Sequence, residues 1–194
     1  MTLDGDPLSS KVGLLEALCH GPSREKVSGW LNRWPSLDDE FGAGHTVGLE
    51  LAMFHATASE DRKGFRAAWV LALLSQAKKM QRVRVESLFL DALDKAREAG
   101  TQRELIRGLL GLDLSLAAQR RLFVWATHAP FSEGVSTAHA HQALLIMLRW
   151  LDGHVVSSSD RMDMDEVCSH LLRGPFSGPV KKKAALLRAR LSMD

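Results

Sequence analysis

A chain of 194 residues suits one compact domain or a short repeat array and is too small for two large domains. Its 25 Lys+Arg against 23 Asp+Glu leave a formal charge of +2, which excludes a strongly basic coating protein and an acidic solvating tail. An apolar share of 45% with 25% charged residues excludes wholesale disorder. Cys19 and Cys168 are too few and too far apart for a disulfide framework or a zinc knuckle. The opening stretch MTLDGDPLSS has neither the basic nor the apolar region of a signal peptide, and the apolar run AAWVLALL is under half a membrane span. A cytoplasmic protein without a membrane partner is therefore expected.

Helix-period apolar patterns punctuated by Gly, Pro and Ser run along the whole chain. A first segment, about Ser10 to Cys19, places Val12, Leu15, Leu18 and Cys19 on one side and ends at Gly21-Pro22. Ser23 caps a second, with Val27, Trp30, Leu31 and Trp34, which Pro35 stops. Ser36 to His45 reads as a loop, followed by a helix over roughly Thr46 to Ala58 whose buried stripe is Val47, Leu51 and Phe54. The next run, Phe65 to Leu74, is apolar on most of its circumference, the pattern of a helix sandwiched between neighbours.

Two further segments, about Val83 to Ala99 and Thr101 to Leu112, are divided at Gly100, with Thr101 and Glu104 at the spacing of a capping box. Ser115 to His128 and Ser136 to Leu151 follow, the latter with Ala140, Leu144, Met147, Leu148 and Leu151 inside. After a polar loop, Asp163 with Glu166 offers a cap for a helix to about Arg173, and Pro179 suits the first turn of a last helix to Leu191. About ten helices and no strand make this an all-α chain.

Four helices begin with a basic or polar residue and continue into a dense apolar body, at Arg66, Arg103, His141 and Lys182, spaced 37, 38 and 41 residues apart. One amphipathic helix lies between each pair, so the unit is a helical hairpin that must stack on its neighbours to bury its apolar face. The expected architecture is a single domain, 1-194. In it 1-35 forms an N-terminal capping hairpin and 46-191 forms HEAT- or armadillo-like repeats, about four to five stacked hairpins in all. An irregular orthogonal helical bundle is the alternative.

The stretch Phe65 to Leu74, with its Arg66-Ala67-Ala68-Trp69-Val70-Leu71 core, and the basic Ala/Leu-rich stretch Gly178 to Leu191 carry a resemblance. The chain resembles the small HEAT-like repeat proteins of bacteria, over about Thr46 to Leu191. The resemblance implies a right-handed α-solenoid and no particular activity.

Catalytic and ligand motifs are sparse. Gly42-Ala43-Gly44 follows no strand and lacks a third glycine, so it reads as a turn rather than a phosphate loop. His139 and His141, two apart on a helix, point about 200° from one another and cannot share an ion. Asp160, Asp163 and Asp165 lack the glycine and terminal Glu of an EF-hand and read as cap and solvent residues. Cys19 and Cys168 sit in apolar stripes as inert packing. No cofactor or metal is expected. The five tryptophans, Trp30, Trp34, Trp69, Trp125 and Trp150, read as core or hairpin-interface packing, with a partner anchor or base-stacking surface as the functional alternative.

Charge is the most informative remaining feature. Trp34 to Asp61 holds six acids and no Lys or Arg, whereas Arg62 to Val85 holds seven Lys or Arg and no acid. In a hairpin stack, Arg66, Arg103, Arg107 and Lys182 would share the concave side, with Trp69 beneath them, and bind an acidic partner or a phosphate backbone. Solvated helix ends are the plainer explanation. The first expectation is a non-enzymatic scaffold binding another macromolecule, a protein partner. The second is a nucleic-acid binder of the HEAT-like DNA glycosylase kind, with no catalytic residue matched one by one. The third is an enzyme with two or more of His45, His55, His128 and His141 converging in a cleft.

Overall fold

A computed structural model of the chain describes residues 6–80, 82–132 and 135–192, with the backbone alone at 82–84. Among the described residues there are helices and no strands. The α-helices are α1 (Lys11–His20), α2 (Arg24–Arg33), α3 (Leu37–Phe41), α4 (His45–Ala56), α5 (Arg62–Gln76), α6 (Arg82–Lys95), α7 (Ala99–Leu110), α8 (Leu116–His128), α9 (Thr137–Gly153), α10 (Ser158–Arg173) and α11 (Gly178–Leu191). The chain divides into two compact units, Met1–Asp113 and Leu114–Asp194. No described helix is long and apolar enough to cross a membrane.

Local signals set most boundaries. Ser10 accepts from the Gly13 amide and Ser23 from the Lys26 amide, satisfying donors that α1 and α2 leave open at their first turns. Gly21 ends α1 at φ 78°, a left-handed conformation that glycine adopts without penalty. Asp61, Ser115 and Ser136 cap α5, α8 and α9 in the same way.

In the first unit α5 is the hub, packing on α1, α2, α4 and, most extensively, α7. Its buried residues, Gly64, Ala67, Ala68, Val70, Leu71, Ala72, Leu74 and Ser75, lie on most of its circumference, as the sequence pattern requires. Six of these eight are smaller than leucine, which lets neighbouring backbones approach closely. The pairings follow a rule: α4 meets α5 and α6 meets α7, while α4 also meets α6 and α5 meets α7. The second unit repeats it, with α8 on α9, α10 on α11, α8 on α10 and α9 on α11.

Four local expectations are corrected. Ser36 to His45 is not all loop, because Leu37 is buried and seeds the short α3. In α4 the inward stripe is Thr46, Leu49, Glu50, Met53 and Phe54; Val47 and Leu51 are exposed. Gly100 does not break a helix: α6 ends at Lys95, α7 begins at Ala99, and Thr101 and Glu104 are buried inside α7 rather than capping it. Finally, α10 begins five residues before Asp163, capped by the Ser157 hydroxyl on the Asp160 amide.

Candidate functional site

The bases named from sequence have different surroundings. Arg66 and the Arg103–Arg107 pair belong to the first unit, and Lys182 belongs to the second. Arg66 Nη1 donates to the carbonyls of Leu18 at 2.8 Å and Cys19 at 2.6 Å, closing the C-terminal end of α1 where carbonyls lack helical partners. A Cβ at Gly21 would lie 2.7 Å from Arg66 Nη2, so glycine there serves the guanidinium as well as the turn.

Arg103 and Arg107 flank Glu104, whose side chain is 5% exposed. Arg103 Nε and Nη2 donate to Glu104 Oε1 at 3.3 and 3.2 Å, and Arg107 Nη1 lies 3.0 Å from Oε2. A carboxylate this deep requires compensation, and two guanidiniums supply it. The Arg103 guanidinium also lies 5.9 Å from the centre of the Phe65 ring. Trp69 is half-buried.

Lys182 has a different setting. With His141, Gly178, Pro179, Lys183 and Leu186 it lines an open groove of about 850 Å³, His141 contributed by α9 and the rest by α11. The lining is mostly apolar, and Leu186 is 55% exposed. The arginines of α11 are held by acids, Arg188 by Asp165 at 2.8 Å and Arg190 by Asp152. Lys181, Lys182 and Lys183 have no carboxylate partner among the described residues. Burial, and then the Lys183 charge, hold the His141 imidazole below its ordinary value, which keeps this wall of the groove neutral at neutral pH.

His139 and His141 separate as the helical spacing requires. His139 lies buried, edge-on to Trp125 at 6.1 Å, while His141 lines the groove. His45 and His55 stand at opposite ends of α4, so these two do not converge; His45 Nε2 lies 2.7 Å from the Leu8 carbonyl. Burial pushes the Cys168 thiol up to about 12, the behaviour of a packing residue, whereas Cys19 is exposed rather than set in an apolar stripe. No group of three or more His, Cys, Asp or Glu among the described residues is placed to hold a metal ion.

Trp30, Trp34 and Trp150 are buried. Trp150 stacks with Phe123 and with His154, and the Arg120 guanidinium lies 5.5 Å from the centre of its ring while pairing with buried Asp160 at 2.6 Å. Trp34 Nε1 donates at 3.3 Å to Glu50 Oε1. Sequence reasoning missed Glu50, which is 6% exposed; burial first, and Asp38 to a lesser degree, raise its carboxyl to about 7 against the opposing Trp34 hydrogen bond. Glu50 flanks the stripe assigned to α4, three residues from Val47 and four from Phe54, but a carboxylate at such a position reads from sequence as solvated.

No protein-family model matches the chain, nor does any curated protein or solved structure match it.

Proposed function

We propose that this protein is a helical-repeat scaffold of the α-solenoid kind, its hairpins stacked side by side, and that it binds another protein. The observation that carries the reading is the recurring pairing within each unit, where each hairpin's first helix meets the next hairpin's first helix and the second helices meet likewise. Hairpins stacked this way bury a continuous core and leave helix rows free as recognition surface. The 37- to 41-residue spacing of α5, α7, α9 and α11 is the sequence counterpart of that pairing. Arg66, Arg103 and Arg107 are engaged in intramolecular contacts, so the row of bases on which a phosphate backbone would depend is already committed, whereas a protein partner need not use it.

The test is affinity capture of the full chain from nuclease-treated lysate of its source cell. A protein that co-purifies in near-stoichiometric amount and survives nuclease treatment is expected. Capture that disappears with nuclease, or a chain that elutes alone at native concentration, refutes the reading.

A further inference from the structure

We propose that the groove between α9 and α11 is the docking site for an acidic amphipathic helix of the partner protein, about two turns of which it holds. This inference rests on the scaffold reading above. The groove runs along α11 from Gly178 to Leu186, a rise of about 12 Å. A docked helix presents apolar residues at i, i+3 or i+4 and i+7 over such a length. Pro179 and Leu186 supply the apolar lining, which His141 of α9 joins.

Charge selects the occupant. Arg188 and Arg190 of α11 are neutralised by Asp165 and Asp152, but Lys182 and Lys183, which line the groove, have no carboxylate partner among the described residues. Two adjacent lysines with no carboxylate partner beside an exposed leucine offer their complement to a segment bearing both Asp or Glu and a bulky apolar side chain. A phosphate backbone would use the two lysines and gain nothing from Leu186, Pro179 and the apolar lining. The groove is open rather than enclosed, which suits a chain segment better than a sequestered small molecule.

The probe is a fluorescein-labelled, helix-forming peptide of roughly 16 residues, with leucines at helical spacing and Asp and Glu on the flanks, titrated against the full chain by fluorescence anisotropy. Saturable binding is expected. It should weaken about tenfold for Lys182→Glu with Lys183→Glu and for Leu186→Ser, and be unchanged for Arg62→Glu, an exposed base on α5. Replacing the peptide's acids by Gln and Asn should cost a similar factor and abolish the salt dependence. All substituted side chains point at least partly to solvent, and circular dichroism checks their folding; if Leu186→Ser does not fold, the lysine variant decides alone.

Equal binding by wild type and the lysine variant overturns the proposal. So does a duplex of about 20 base pairs that binds through the same lysines more tightly than the peptide. Concentration-dependent self-association lost in Leu186→Ser also overturns it, since a second copy would then be the occupant. No peptide binding alongside a co-purifying protein partner sinks the groove and leaves the scaffold reading intact. Peptide bound through the groove with no protein captured sinks the scaffold reading alone.

Discussion

Replacing Glu50 by glutamine should stabilise the first unit at alkaline pH and leave it nearly unchanged at pH 4.5. Glu50 lies 6% exposed on α4, with the Trp34 indole as its hydrogen-bond donor, and its carboxyl is raised from 4.5 to about 7 chiefly by burial. A folded-state value above the unfolded one means that the folded chain binds more protons across this window, so stability falls as pH rises. The contribution is fully present below 4.5 and lost as pH rises through about 7. A carboxyl that ionises near 4.5 in the unfolded chain and only near 7 in the folded one costs about 3 kcal/mol of stability by pH 8.

Glutamine keeps the size and an oxygen for Trp34 but cannot ionise. Urea unfolding followed by tryptophan fluorescence should therefore show wild type and Glu50→Gln differing little at pH 4.5 and by about 3 kcal/mol at pH 8, the variant being more stable. The difference between the two proteins cancels carboxylates such as Asp6 and Asp38, which hydrogen bonds hold below their ordinary values and which act at lower pH. A difference that is flat from pH 4.5 to 8, or a variant that is less stable at pH 8, would refute the reasoning.

Three other substitutions follow from the same packing. Gly108→Ala would drive a methyl into the ring of Phe89, which is fully buried and set edge-on to Phe54, so a loss of about 1–3 kcal/mol is expected in urea melts. Gly29→Ala, with nothing within 4 Å of the new methyl and a place inside α2, should instead gain about 0.5–1 kcal/mol; a loss there would contradict the open space described. Arg66→Ala strips two hydrogen bonds from the end of α1, and hydrogen exchange should quicken in its last turn, with about 1–2 kcal/mol of stability lost. Unaltered exchange would show that the guanidinium does not close that end.

His141 should titrate by NMR below free histidine, because burial first and Lys183 second oppose its charge. Its lowered value contributes stability at pH above about 6.5 that is lost as pH falls. Lys183→Glu should move the titration upward, and no movement would remove the lysine from the account.

The amino-acid sequence by itself determined the helical class, most helix spans and several of their ends. Those features are local: a 3.6-residue period, the Ser23 hydroxyl three residues from the Lys26 amide, and Gly21 at positive φ ending α1. The basic or polar starts at Arg66, Arg103, His141 and Lys182, each running into an apolar body, are local features too. Tertiary structure alone decided which side of α4 faces inward, why Thr101 and Glu104 lie within a helix instead of starting one, and which bases face solvent. Arg66 reaches carbonyls 47 and 48 residues away, Glu50 meets an indole 16 residues away, and Lys182 lines a groove with His141 from another helix. A charged side chain's role depends on the partners and the dielectric around it, and folding brings these from distant parts of the chain.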